Sequence, residues 1–318
     1  MENILAQKNS INIKWSIIIP HYNQPRLLDR LLFSIPWRKD LEVIVVDDDS
    51  DLGFRESIEL LKKKYPTYRF ITTEVKGGGG LARNTGIKEA KGDYIIFADS
   101  DDYFLPTFND ILDKYITTEA DIIFFNIISL DNNTGNFCSR WKHIDRYFQA
   151  YNKSRNDLPL RYLFGEPWGK IIRRGLIIDH NIQFDVLPIH NDTTFSYLVG
   201  YYAQTIIVEN VRAYCLTFRI GSVSNIISLE RLEIRLNVFA KKYIFFKEYG
   251  IPVFDELLVT PFWFCIKRRN YDQFHKYILL LERYKISRVI IFSHLLVFIF
   301  GMLKNKVTSY LSRGNINE

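Results

Sequence analysis

Between residues 15 and 128, short apolar runs alternate with amphipathic segments. Trp15–Ile19, Glu42–Val46, Arg69–Thr73, Tyr94–Ala98 and Asp121–Ile128 are short, rich in Ile, Val and Phe, and too brief for helices. Continuous apolar runs of this length predict strands buried on both faces. The intervening segments change period. Pro25–Ile35 places leucines 27, 28, 31 and 32 on one helical face, and Phe54–Tyr65 sets Ile58, Leu60 and Leu61 against Lys62, Lys63 and Lys64. Leu81–Ala90 and Pro106–Thr117 predict two further helices, the first preceded by a flexible turn at Gly77–Gly80 and the second opened by a proline. Such alternation predicts an α/β fold with a mostly parallel central sheet and right-handed crossovers.

Beyond residue 130 the alternation breaks up. Arg155–Phe164 and Asn191–Ala203 predict helices, and Thr205–Glu209 and Ala213–Phe218 predict strands. From Asn225 onward only helices are expected: Leu229–Tyr249, Tyr271–Lys285 and Ser287–Leu303. The polar stretch Ile220–Asn225 marks a boundary between a region 1–222 and a helical region 223–318.

Composition narrows the class. With 47% hydrophobic residues in 318 the chain can bury a full core, which argues against disorder. The formal net charge of +6 suits anionic partners, but the basic residues are not interleaved with a nucleic-acid motif, so no nucleic-acid partner is expected. Three isolated cysteines, Cys138, Cys215 and Cys265, argue against a zinc site or a disulfide framework and fit a reducing compartment. The polar segment Met1–Lys14 lacks the apolar core of a secretory signal. The longest apolar stretch, Val289–Leu303, falls short of the ~20 residues a bilayer span needs.

Candidate chemistry collects where strands end. Asp47-Asp48-Asp49 closes the second apolar run, and Asp99-Ser100-Asp101-Asp102 closes the fourth. Carboxylates there face the crevice in which open α/β sheets bind ligands. Their mutual repulsion calls for an offset, and a divalent metal with a phosphorylated ligand supplies one. On an extended segment Asp99 and Asp101 point the same way. Asp47 could instead cap the segment that follows it.

Four motifs stand in a specific order: Ser16-Ile17-Ile18-Ile19-Pro20-His21-Tyr22-Asn23, Val45-Val46-Asp47-Asp48-Asp49-Ser50, Gly79-Gly80-Leu81-Ala82-Arg83-Asn84-Thr85-Gly86 and Phe97-Ala98-Asp99-Ser100-Asp101-Asp102. Over residues 15–220 the chain resembles family 2 glycosyltransferases of the GT-A fold, bacterial surface-polysaccharide type, which transfer a sugar from a nucleotide-sugar with inversion. The resemblance implies a donor-binding half at about 15–130 and an acceptor half at about 131–222. It implies that Pro20, Tyr22, Asn23, Asp48, Arg83, Asn84, Asp99 and Ser100 bind the nucleotide-sugar, with Tyr22 stacking on the base and UDP the favoured nucleotide. Asp101 would hold Mn²⁺ or Mg²⁺. Asp49 stands where the family usually carries Gly or Asn, an added carboxylate whose purpose the pattern leaves open.

In the same resemblance, Asp192 of Ile189-His190-Asn191-Asp192-Thr193 matches the catalytic base, with Asn191 where Glu is usual and Asp185 as a competing base. Glu166-Pro167-Trp168-Gly169-Lys170 resembles a segment of capsule and lipopolysaccharide transferases, in which Trp168 and Lys170 would meet the acceptor. A core position for Trp168 is the alternative. His143, His180, His190 and His275 lack metal-ligand spacing and read as structural or surface residues. The implied activity is hexosyl or N-acetylhexosaminyl transfer to a glycan or lipid-linked acceptor, at the cytoplasmic face of the inner membrane. Basic residues flanking 289–303 point to a peripheral contact with anionic lipid, or else to a homo-oligomer contact through the C-terminal helices. The rival readings are a sugar-nucleotide or glycan-binding scaffold with degenerate catalysis, and a nucleotidyltransferase. The second is disfavoured because Pro20-His21-Tyr22-Asn23-Gln24 replaces the glycine-rich basic loop it needs.

Overall fold

The structure is a computed structural model that describes residues 12–218, 228–252 and 258–314. The chain divides into two compact units, Met1–Asn225 and Ile226–Glu318. The boundary expected at 220–225 and the N-terminal stretch 1–11 lie outside the described residues.

The first unit is built on an eight-stranded sheet: β1 (Trp15–His21), β2 (Leu41–Asp47), β3 (Arg69–Thr72), β4 (Tyr94–Phe97), β5 (Tyr103–Phe104), β6 (Ile122–Asp131), β7 (Lys170–Arg173) and β8 (Ile206–Phe218), in the spatial order β3-β2-β1-β4-β7-β6-β8-β5. The pairs β1–β2, β1–β4, β2–β3 and β6–β8 are parallel, so the sheet is mostly parallel as expected. Only β7 and β5 run against their neighbours. Ile17–Ile19, Val43–Val46, Tyr94–Phe97 and Ile122–Phe125 are all buried, as strands covered on both faces must be.

The strand runs past the apolar stretch Trp15–Ile19, and Pro20 pairs with Val46 inside it. The β4 neighbour stops at Ile18↔Phe97, so Pro20 lies beyond it, where its missing N–H removes no ladder bond. The two strands expected at 205–218 are one, because residues between Glu209 and Arg212 bulge past Phe125–Asn126 of β6.

Helices α1 (Pro25–Ser34), α2 (Arg55–Lys64), α3 (Gly78–Glu89) and α4 (Thr107–Lys114) fill the crossovers of the first half. Leu28, Leu31 and Leu32 of α1 are buried, each worth about 1.5–3 kcal/mol of apolar transfer. In the second half lie α5 (Lys142–Ser154), α6 (Leu158–Tyr162), α7 (Arg174–Asp179) and α8 (Thr193–Tyr202). The glycines expected as a loose turn form the first turn of α3 instead. A Cβ on Gly86 would sit 2.3 Å from Ile18 Cγ2, and one on Gly80 2.1 Å from the Asp185 carbonyl oxygen. These glycines therefore let α3 approach β1 on one side and the 185–191 segment on the other.

The second unit comprises α9 (Leu229–Glu248), α10 (Thr260–Lys267), α11 (Tyr271–Arg283) and α12 (Arg288–Gly314). Its own core gathers Leu236, Phe239, Phe262, Tyr277, Leu281 and Ile291. No helix among the described residues is long and apolar enough to cross a membrane.

Candidate functional site

The two acidic clusters leave adjacent regions of the sheet's C-terminal edge. After β2 the chain turns sharply at Asp47–Ser50. Asp47 Oδ1 lies 2.7 Å from His21 Nδ1, and the Ser50 hydroxyl and amide both donate to the same carboxylate. The Gln24 amide donates to His21 Nε2, so the ring proton sits on Nδ1 and is given to Asp47. Burial would raise the Asp47 carboxyl, but the His21 and Ser50 bonds outweigh it and hold the group below the ordinary carboxylate range. Asp47 is thus a loop fastener. Asp49 is exposed and its φ is +54°, a left-handed position that Gly, Asn and Asp tolerate best. That conformation suits the Gly or Asn usual there as well as Asp.

Asp48 is buried. Its Oδ1 accepts from the Gly77 amide at 2.9 Å and its Oδ2 from the Gly78 amide at 2.7 Å. The carboxylate therefore neutralises the positive end of α3. Tyr22 projects beside it, with Lys76 Nζ 3.8 Å from the centre of its ring and donating to its hydroxyl. Asn23, expected at the nucleotide, exchanges two bonds with Asp51 and staples the first two loops together. Its left-handed φ of +55° aims the amide at that partner.

Asn84 is held by the fold in the same way. Its amide makes a reciprocal pair with the Phe184 backbone, at 2.9 Å in both directions, and so latches α3 to the 182–185 segment. The Asp99–Asp101 segment was expected to be extended and is not. The Asp102 amide donates to the Asp99 carbonyl at 3.0 Å, closing a tight turn that carries Ser100 and Asp101 at its tip, both half-buried. Tyr214 supports this turn from below: its hydroxyl accepts from the Asp99 amide and donates to Asp102 Oδ2. The Thr217 amide donates to Asp102 Oδ1. Burial, then the charges of Asp101 and Asp99, push the Asp102 carboxyl well above its ordinary range.

Arg83 joins the donor half to the acceptor half. It donates to Asp99 Oδ1 at 2.5 Å and to Asn191 Oδ1 at 3.1 Å, and its guanidinium lies 5.4 Å from the Phe184 ring centre. Asp192 follows Asn191 directly and opens α8. Burial raises the Asp192 carboxyl, Arg83 opposes the rise, and Glu166 and Asp99 add to it; the group is pushed up to about 6. No side-chain cap bond runs from Asp192 to α8, so capping does not explain the residue.

Glu166 is held beside this site. Ser196, one turn into α8, donates its amide to the Asp192 carbonyl and its hydroxyl to the Gly165 carbonyl. His143 Nε2 lies 3.3 Å from Glu166 Oε1. The Glu166–His143 pair, from two segments the pattern did not join, is a partly exposed acid–imidazole pair next to Asp192. The two residues expected at the acceptor lie in the interior. Lys170 is 2% exposed, and its ammonium donates to the Phe164 and Glu166 carbonyls, pinning that loop. Trp168 is 4% exposed and packed between Phe164 and Tyr214. Both side chains are core, the alternative weighed for Trp168.

Among the described residues no three His, Cys, Asp or Glu side chains form a ready-made metal cage. A cage is not required where a substrate's phosphates complete the coordination and the protein gives one or two carboxylates. The Asp99–Asp102 turn offers hard oxygen donors from three neighbouring carboxyl groups, and burial, followed by the charges of Asp101 and Asp99, raises the Asp102 carboxyl. The donor set therefore fits a divalent cation.

Residues 16–179 match the family model "Glycosyl transferase family 2". Glycosyltransferase GlyA of Streptococcus pneumoniae is 25% identical over 78% of this chain and 37% of its own length. Poly(ribitol-phosphate) beta-N-acetylglucosaminyltransferase TarS of Staphylococcus aureus is 27% identical over 64% of this chain and 35% of its own. The chain thus spans little more than a third of either relative. A crystal structure of S. aureus TarS 1–349 in complex with UDP-GlcNAc superposes with a TM-score of 0.63 at 23% identity, covering 87% of this chain and 82% of that one. That likeness establishes the shared fold.

Proposed function

The chain belongs to glycosyl transferase family 2, and from that premise we propose that it is an inverting transferase. It moves a hexosyl or N-acetylhexosaminyl group from a UDP-sugar to a hydroxyl of a glycan or lipid-linked acceptor in surface-polysaccharide synthesis. The observation that carries the reading is the Asp99–Arg83–Asn191 chain, which links the acidic turn to the residue next to Asp192. The nucleoside lies against Tyr22 and Asp48; a carboxylate has lone pairs beyond those Gly77 and Gly78 occupy, enough to accept from a pyrimidine N–H. Lys76 then leaves the Tyr22 ring for the added negative charge. Arg83 and Asp99 face the ribose and diphosphate, with Pro20 and Ser100 bounding the cleft. Asp101 would hold Mn²⁺ or Mg²⁺, which supplies positive charge to the departing diphosphate. Asp192 takes the proton from the acceptor oxygen as that oxygen attacks the anomeric carbon from the face opposite the leaving group. A carboxyl near 6 is ionised at neutral pH yet basic enough for this step.

Calorimetric titration of the chain with UDP, GDP and dTDP, each with and without Mn²⁺, tests the donor. Metal-dependent binding of UDP alone is the expected result, and Asp101→Ala should remove the metal-dependent part. Binding of none of the three would favour the degenerate scaffold, and unchanged metal dependence in Asp101→Ala would dismiss Asp101 as the ligand.

A second proposal concerns α12. Ile291 and Leu295 pack into the second core, whereas Val289, Phe292, Leu296 and Phe300, at spacings of three and four, are exposed with Val297 beside them. Arg283, Lys285 and Arg288 precede it, all exposed. An apolar stripe with a cationic approach fits an anionic lipid surface at the cytoplasmic face of a membrane. The chain should float with vesicles containing phosphatidylglycerol, and Phe292→Glu with Phe300→Glu should stay with the unbound protein. Equal flotation of the double variant would reject the stripe; a concentration-dependent dimer without flotation would assign it to self-association.

A further inference from the structure

The Asp101 backbone is gripped from an unexpected direction. Arg30, on α1 and 71 residues earlier in the chain, donates through Nη2 to the Asp101 carbonyl. The same nitrogen donates to Thr217 Oγ1 at 3.2 Å, and Nη1 donates to Asn132 Oδ1 at 2.6 Å. Thr217 Oγ1 also donates to the Asp101 carbonyl. The guanidinium carbon lies 5.2 Å from the centre of the Tyr103 ring, which closes one face. Buried Nε has no acceptor. An orphaned buried donor is costly, so the two terminal nitrogens dictate how the group is set. The fork thus ties α1, the end of β6 and the end of β8 to a single peptide unit of the acidic turn.

We infer that Arg30 is a positioning residue: by clamping the Asp101 carbonyl it fixes the direction in which the Asp101 carboxylate meets a divalent cation on the donor diphosphate. This rests on the metal role proposed for Asp101. Two donors on one carbonyl restrict rotation of that peptide, and Cα–Cβ of Asp101 turns with it. The cationic fork also offsets the crowding of Asp99, Asp101 and Asp102 before any ligand enters. Lysine keeps the charge but cannot donate from two fixed nitrogens to Asp101, Asn132 and Thr217 at once.

The test uses the purified chain and three readouts: the Mn²⁺ concentration that half-saturates UDP binding, the metal-free affinity for UDP, and Tm. In Arg30→Lys the Mn²⁺ requirement should rise about 10-fold, in the range seen when a partner behind a metal ligand is lost, while metal-free UDP affinity is unchanged. A merely structural role would weaken both alike, and that result, or an unaltered Mn²⁺ requirement, overturns the inference. Thr217→Val removes the other donor to the same carbonyl and should shift the Mn²⁺ requirement the same way, which keeps the question decidable if Arg30→Lys folds poorly. Failure of the unsubstituted chain to bind UDP with Mn²⁺ would instead overturn the metal role of Asp101, a result the variants do not mimic.

Discussion

Asp192→Asn should lower turnover by about 10²–10⁴-fold, the usual contribution of a positioned general base, and leave UDP affinity unchanged. Asparagine fits the same space but cannot take a proton at neutral pH. Stability should not suffer. The folded chain holds the Asp192 carboxyl at about 6, above its ordinary value of 3.8. A raised acid means the ionised form is disfavoured by folding, so the penalty appears as pH rises from about 4 and is complete above about 6. The amide removes it, and Tm at pH 7.5 should equal or exceed that of the parent. Because the base works only when ionised, kcat/KM of the parent should climb through about pH 6 and level off above 7. Glu166 contributes to the rise, so Glu166→Gln should move this acid limb to lower pH. Near-normal turnover in Asp192→Asn would pass the role to Asp185 or to no residue at all. An acid limb near pH 4 would show that the base is a solvated carboxylate rather than Asp192.

What the pattern carried and what it missed have physical reasons. Strands β1, β2 and β4 were legible because burial on both faces leaves no polar position to confuse the period. The leucines of α1 were legible because only one face is covered. β7 was not, since four residues set between a tight loop and a short helix offer no period to count. α5 was missed because only Ile144 and Phe148 of its thirteen residues are buried. α3 hides its first turn in glycines, which read as a loop until the close approach to Asp185 is seen.

At the site, Asp48, Arg83, Asp99, Asp101 and Asp192 were named from motif order. The structure gathers Arg83, Asp99 and Asp192 through hydrogen bonds and shared charge. Trp168, Lys170, Asn23 and Asn84 were named on the same grounds, and their side chains meet neighbouring segments of the fold. A motif fixes residue type and order, but whether an ammonium meets solvent or two buried carbonyls depends on where a distant loop lies. For the same reason nothing local announced Arg30, whose partners lie 71, 102 and 187 positions away.

Gly80→Ala should be among the most damaging changes of a single methyl in the first unit. The new Cβ would lie 2.1 Å from the Asp185 carbonyl oxygen and 3.2 Å from Asn191 Cβ. Backbone cannot swing aside as a side-chain tip can, so either α3 or the 185–191 segment must move. Overpacking of this kind costs about 1–3 kcal/mol, and about 2–4 °C of Tm follows per kcal/mol in a domain of this size. The movement also separates the two halves of the pocket. Arg83 sits one turn along α3 from Gly80, and its 3.1 Å bond to Asn191 spans the gap that must widen. Asp192 is carried with Asn191, and a displacement of about 1 Å at a reacting group costs about 10²-fold in rate. The expected variant is folded, a few degrees less stable, able to bind UDP, and slow. Gly53→Ala is the matched control, because nothing lies within 4 Å of its Cβ position. If Gly80→Ala matched that control in both Tm and turnover, the close seating of α3 against the Asp192 segment would be wrong, and with it the geometry that unites donor and base.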